Sequence, residues 1–196
     1  MEEKGIFKRK EPFAFMLYLG LLGSALIFSA IFFIFLKKEL VNQDIPIRLP
    51  WTIWLSTLFI ITSSFTLWAA SSLFKTQVYN YLRIFLVLTL IAGLAFLCTQ
   101  IAVWKSLMSS NQLLSNNTSA AFIYILTGLH LAHILGGIIA LCVTIFRIFK
   151  QGNYVDTFIY TVNPPNQLNI KLLAIYWHFL TLLWLVIVLF LQYHAA

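Results

Sequence analysis

The run AAFIYILTGLHLAHILGGIIALCVTIF, Ala120 to Phe146, contains no Asp, Glu, Lys or Arg. It is longer than the roughly 20 apolar residues with which a helix crosses a hydrocarbon core. Four more runs match it: Pro12 to Leu36, Trp51 to Phe74, Ile84 to Trp104 and Leu172 to Tyr193, again with no charged residue in their interiors. Strand-type alternation is missing, and the runs are too long for barrel strands, so each reads as a helix. With 61% of 196 residues hydrophobic, 10% charged and a mean hydropathy of +0.89, the chain lies far from soluble-domain composition. The expected fold is an all-α, polytopic membrane bundle of five transmembrane helices, a single domain over residues 1–196. The first span is too long for a signal-peptide core and no small-residue cleavage site follows it, so it is read as a structural helix.

Lys and Arg set the expected orientation. Lys4, Lys8, Arg9, Lys10, Lys75, Arg83, Arg147, Lys150 and Lys171 fall on one side of the five spans, and Lys37, Lys38, Arg48 and Lys105 on the other. The richer side is the cytoplasmic one, which puts the amino terminus in the cytoplasm and the carboxyl terminus outside. The net charge of +7 is thereby a topology signal, and no nucleic-acid partner is expected.

All six acids, Glu2, Glu3, Glu11, Glu39, Asp44 and Asp156, lie outside the spans. No carboxylate is then available at membrane depth, which argues against a self-sufficient ion-coupled transporter. No internal repeat, Gly-rich phosphate cradle or catalytic triad is present. Cys98 and Cys142 stand alone in different spans and read as small buried hydrophobes. The polar inventory of the spans is hydroxyls, Gln100 and the histidines His130, His133 and His178.

Imidazole in hydrocarbon needs a partner. His130 and His133 share a helix face, and with His178 they offer up to three nitrogens for a metal, or two for a haem. Counted from the cytoplasmic ends of the expected spans, His133 and His178 differ in depth by roughly 10 Å, at 1.5 Å per residue. Axial ligands should be nearly level, and no carboxylate stands ready as a second-shell acceptor. Histidines bonded to hydroxyls or carbonyls of neighbouring helices are the expected arrangement. Gly128, Ala132, Gly136 and Ala140 recur every four residues, with Gly137 beside them, a stripe expected to let another helix approach closely. Trp177 and Trp184, seven apart in YWHFLTLLW, share a helix face. The segment 147–171 is expected to be a cytoplasmic loop, with Val155, Phe158, Tyr160 and Val162 alternating as in a short hairpin or a partner-binding strip.

FIYILTGLHLAHILGGIIALCVTIFR (Phe122 to Arg147) followed by YWHFLTLLWLVIVLFLQY (Tyr176 to Tyr193) resembles the last two helices of subunit III of the haem-copper cytochrome c oxidases, with the motifs TGxHxxHxxxG and YWHFxxxxW. PWTIWLSTLFIITSSFTLWAASSL (Pro50 to Leu73) and LIAGLAFLCTQ (Leu90 to Gln100) resemble two further helices of that family. Five helices match its short, mostly bacterial form. The departures are Ala25 where the family has a glutamate after Ser24, Val103 at a second acid, Ala70 and Ser71 at a histidine pair, and Thr181 at an aspartate.

The resemblance implies an accessory, non-redox subunit of a respiratory oxidase in the bacterial inner membrane. It would have no cofactor of its own; haem a and copper would sit in partner subunits I and II. It would pack on subunit I, bind phospholipid, support assembly and proton uptake, and be compatible with a larger respiratory supercomplex. The residues it marks for helix packing or a subunit interface are His130, His133, Gly136, Gly137, Tyr176, Trp177 and His178, with Trp68 and Arg147 as lipid or interface contacts. No catalytic, cofactor or metal residue is assigned. The competing readings are a homologous subunit of a quinol oxidase or nitric oxide reductase, and a stand-alone histidine-ligated haem or metal membrane protein.

Overall fold

The computed structural model describes residues 11–39, 49–76, 79–109, 118–151 and 163–195. Regular structure among these residues is entirely α-helical: α1 (Glu11–Glu39), α2 (Thr52–Thr76), α3 (Tyr79–Ser109), α4 (Thr118–Phe149) and α5 (Pro164–Ala195). All five are long and apolar enough to cross a membrane, so the five expected spans are the five observed helices. The 32 residues of α4 and of α5 give axes of roughly 48 Å at 1.5 Å per residue. Their ends therefore project beyond a hydrocarbon core of about 30 Å.

The largest departure from the expected boundaries is the start of α5. Residues 164–171, expected in a loop, form its first two turns. The backbone carbonyl of Asn163 accepts from the N–H groups of Asn166 (3.0 Å) and Gln167 (3.3 Å). Pro164 occupies the first helical position, where its fixed φ suits the helix and its missing N–H would have had no intrahelical acceptor. At the other side of the connection, α4 runs on through Arg147 to Phe149. The expected hairpin residues Val155, Phe158, Tyr160 and Val162 lie outside the described residues.

α2 and α3 form the closest pair, and α5 packs against both α2 and α4. Half of α5's apolar window is buried within the chain, against 11% for α1. This difference makes α5 the central element and α1 the peripheral one. α1 lies against α4 and α5, burying Phe28 and Phe35 while Phe13, Leu19, Leu26 and Phe33 stay exposed.

Hydroxyl side chains in the core bond back to carbonyls of the preceding turn. Ser56 and Thr57 donate to Ile53 O, Ser63 to Ile60 O and Thr127 to Ile123 O, all at 2.6–2.8 Å. In a medium without water such internal satisfaction is what lets hydroxyls be buried. Their oxygens remain acceptors toward the next helix.

Candidate functional site

The residues singled out by the motifs converge on the faces of α2, α3 and α4 that surround α5. Trp177 is fully buried between two glycines. A Cβ added at Gly93 of α3 would lie 3.2 Å from its ring, and one added at Gly137 of α4 would lie 3.1 Å away. A methyl group at either position would press on the indole, which would have to give by a few tenths of an ångström. Its Nε1–H donates to Ser63 Oγ of α2 at 3.0 Å, so this one side chain touches all three neighbouring helices.

Trp184, two turns on, repeats the arrangement. Its Nε1–H donates to Thr57 Oγ1 at 3.1 Å, and Phe96 meets its ring edge-on at 5.0 Å. His178 Nδ1 lies 2.6 Å from Ser64 Oγ. Trp177 with Ser63, His178 with Ser64 and Trp184 with Thr57 form an antiparallel ladder. It joins the aromatic face of α5 to the hydroxyl face of α2, with Trp177 and Trp184, seven apart, meeting Ser63 and Thr57, six apart. A second polar pairing joins α2 to α3: Gln100 Nε2–H donates to Ser56 Oγ at 2.9 Å, and Thr66 and Thr89 pair through their hydroxyls at 2.9 Å.

His133 stands one turn before Gly137 on α4. Its Nδ1 lies 2.8 Å from the carbonyl of Leu129, an acceptor, so Nδ1 carries the proton. That leaves Nε2 to accept from the Ser24 hydroxyl of α1 at 3.1 Å. The carbonyl of His133 itself accepts from Tyr176 OH at 2.9 Å. His133 thus links α1, α4 and α5, and Phe28 packs against its ring at 5.9 Å.

Cys98 and Cys142, expected to be buried, are exposed, and three further expectations need correction. His130 has no hydroxyl or carbonyl partner: both ring nitrogens are buried without a hydrogen bond among the described residues. Its surroundings are aromatic, with Trp184 at 5.2 Å and Phe96 at 5.9 Å. The difference in depth between His133 and His178 largely disappears, because α5 begins at Pro164. His133 now lies sixteen residues from the Phe149 end of α4, and His178 fourteen from the Pro164 end of α5. What separates the rings is direction, His133 toward α1 and His178 toward α2. Finally, the four-residue stripe faces outward: Ala132, Gly136 and Ala140 are exposed. The small residues that admit a neighbour are Gly137 and Gly93, the latter within the family-like stretch Leu90 to Gln100.

Among the described residues no group of three His, Cys, Asp or Glu side chains could hold a metal. Trp68 is exposed on α2, stacked near Phe65 at 5.7 Å, and Arg147 is exposed near the end of α4. Neither meets the α5 ladder. Ser63, Ser64 and Thr57 stand in the stretch Pro50 to Leu73 that carries part of the resemblance, but the sequence reading assigned them no role.

No protein-family model matches the sequence. Individual relatives do. The chain is 27% identical to cytochrome c oxidase subunit 3 of Alkalihalophilus pseudofirmus, over 94% of this chain and 87% of that protein. It is 26% identical to cytochrome c oxidase subunit 3 of Bacillus subtilis, over the same shares of each chain. The cytochrome bo(3) ubiquinol oxidase subunit 3 of Buchnera aphidicola is 21% identical over 90% of each. The five membrane-spanning helices and the similarity across nearly the whole length mark a multi-pass bacterial membrane protein similar to cytochrome c oxidase subunits 3.

Proposed function

We propose that this protein is the accessory, non-redox subunit of a bacterial aa3-type cytochrome c oxidase. In this reading it packs as a single domain on the haem-bearing subunit I, alongside subunit II, with its amino terminus in the cytoplasm. The observation that carries it is the full-length similarity to oxidase subunits 3. The internal engagement of the motif residues supports it. Trp177, His178, Tyr176 and His133 each spend a polar atom on a neighbouring helix of the same chain. Side chains so committed hold a scaffold together and are poorly placed to ligate a haem. Tyr176, Trp177, His178, His130, His133 and Gly137 act as packing residues, and the exposed Gly136 belongs to a subunit or lipid interface. Trp68 and Arg147 contact lipid or a neighbouring subunit. Haem a and copper belong to the partners, where oxygen is reduced; this chain supports assembly and proton uptake and contacts phospholipid.

The test is a mild-detergent pull-down of the chain from its native membranes, with subunit identification and a reduced-minus-oxidised spectrum. Recovery with a large haem-copper subunit and an a-type spectrum is expected. Recovery alone and colourless would overturn the reading. The similarity to a ubiquinol oxidase subunit 3 favours one second reading, a quinol oxidase component. A complex with a different haem signature and quinol-driven turnover would select it.

A further inference from the structure

Five buried side-chain atoms toward one end of the bundle have no hydrogen bond among the described residues: Thr52 Oγ1, Gln100 Oε1, Tyr124 OH and both ring nitrogens of His130. Gln100 and His130 are fully buried, and Tyr124 is nine-tenths buried. Their neighbours place these atoms along one interior seam. On α3, Phe96, Gln100 and Trp104 follow one another a turn apart. Phe96 meets the His130 ring at 5.9 Å, while Trp104 donates to Thr127 Oγ1 at 3.1 Å and packs on Tyr124 at 6.0 Å. Gln100 therefore lies level with the stretch of α4 between Thr127 and His130. On the side of α2, its Nε2–H donates to Ser56, one turn from Thr52. Trp184 closes the seam, its ring 5.2 Å from that of His130 and its Nε1–H on Thr57.

The seam begins at the membrane border. Thr52 is the first residue of the membrane-spanning stretch of α2, and Tyr124 is three residues inside that of α4. His130 is nine residues inside, roughly 14 Å at 1.5 Å per residue, close to the middle of a hydrocarbon core. Along the axis Tyr124 and His130 are roughly 9 Å apart, about three hydrogen-bond lengths. Toward the opposite end, Ser63, Thr66, Thr89 and Trp177 each make a hydrogen bond.

Hydrocarbon offers polar atoms no partner, and leaving them unmet is costly. Neutral imidazole presents one donor and one acceptor, the Gln100 amide oxygen is an acceptor, and each hydroxyl is both. Water, donor and acceptor at once, is the ligand that meets the whole set, and buried water is held by such otherwise unsatisfied groups. We propose that a short file of internal water enters the bundle where α2 and α4 start and α3 ends, passes Thr52 and Tyr124, and terminates on Gln100 Oε1 and the His130 ring. The file gives a histidine at mid-membrane contact with the aqueous phase at one end of the bundle. It goes beyond the accessory-subunit reading and does not depend on it.

The ladder tryptophans supply the control. Both are fully buried, Trp177 thirteen residues from the Pro164 end of α5 and Trp184 eleven from the Ala195 end, and of the two Trp184 borders the file. The full chain in lipid nanodiscs is exposed to X-ray pulses in heavy-oxygen water, and oxidised side chains are quantified by mass spectrometry. Radicals formed from an internal water label the side chains it touches, so Trp184 and His130 should oxidise several-fold faster than Trp177. Gln100→Leu, which removes the terminal acceptor, should bring Trp184 down toward Trp177. Tyr124→Phe, which removes one hydroxyl near the entrance, should lower labelling at both Trp184 and His130 and leave Trp177 unchanged. A rise at Trp177 marks a variant that has lost its fold, and the other variant and the wild type then carry the test. Equal rates at Trp184 and Trp177 in the wild type would overturn the proposal, because the seam would be dry. Labelling of Trp184 unaffected by both substitutions would also overturn it, since helix opening and not a held water would then admit the label.

Discussion

α5 and α1 are both apolar throughout and equally able to cross a membrane, yet one lies at the centre of the bundle and the other along its edge. What distinguishes them is directional contact. α5 sends Trp177, His178 and Trp184 to hydroxyls of α2 and Tyr176 to a carbonyl of α4. α1 has the Ser24 bond to His133 and ring contacts such as Phe32 with Phe190 at 4.4 Å. Lipid tails are as apolar as leucine, so hydrophobicity does not draw helices together inside a bilayer. Close approach at small residues and buried polar pairs decide which helix becomes the core.

The sharpest way to break this comparison is to remove the indole that α5 inserts between α3 and α4. Trp177→Ala leaves a cavity facing Gly93 and Gly137 and takes the indole donor from the Ser63 oxygen, whose hydroxyl keeps its bond to the Ile60 carbonyl, and should cost about 3–5 kcal/mol. Reversible unfolding of the full chain in mixed detergent micelles measures it. A loss below about 1 kcal/mol would mean that the two glycines collapse onto the vacated space and that α5 is not the element holding the bundle together.

A smaller but more discriminating effect comes from one substitution made in both regions. Gly137→Ala places a methyl group 3.1 Å from Trp177 and 3.2 Å from Tyr176, in a crowded core where overpacking costs about 1–3 kcal/mol. Gly23→Ala on α1 meets nothing within 4 Å. It should be neutral or stabilising, by up to about 1 kcal/mol from helix propensity. The same unfolding assay reads both. Equal losses at the two sites would remove the distinction between a packed and a peripheral helix.

The five helices were legible in the sequence because length and uninterrupted apolarity suffice to identify a membrane span. The facing of each helix was not. Gly128, Ala132, Gly136 and Ala140 carry the right periodicity for a packing stripe, and three of them face outward. The close approach occurs at Gly137, one position around the helix, and at Gly93, which the family-like stretch Leu90 to Gln100 contains but to which no packing role was assigned. An apolar helix has no polar face to orient it, so orientation rests on long-range partners such as Trp177. The start of α5 was hidden for another reason: Asn163-Pro164-Pro165 is a helix-start signal, but hydropathy counting begins only where the polar first turns end. That error propagated into the depths assigned to His133 and His178. Their candidate roles came from motif resemblance, whereas the hydroxyl partners Ser24 and Ser64 sit 109 and 114 residues away in the chain.

Single hydroxyl deletions test the ladder at finer scale. Ser64→Ala removes the partner of His178 on the central helix. Buried polar pairs in membrane bundles average about 0.6 kcal/mol, so a loss of that order is expected in the unfolding assay. Ser63→Ala strands the Trp177 N–H in a fully buried site, and an unsatisfied buried donor costs about 1–3 kcal/mol. If Ser64→Ala costs as much as Ser63→Ala, the burial of the donor is not what sets the energy.

Ser24→Ala should have the smallest global effect and the most local one. The hydroxyl donates to His133 Nε2, and His133 keeps its Nδ1–H bond to Leu129 and its carbonyl bond to Tyr176. α4 and α5 therefore lose nothing but one acceptor's partner, while α1 loses the polar tie that supplements its ring contacts. The resemblance places an acid next to this position, where the chain has Ala25, so no neighbouring carboxylate can take over the contact. Amide hydrogen exchange followed by mass spectrometry should show α1 peptides exchanging faster in Ser24→Ala, with α5 peptides unchanged. Parallel acceleration in both helices would mean that α1 opens only with the whole bundle. In that case the few contacts it makes would couple it to the core as tightly as the tryptophan ladder couples α5 to α2.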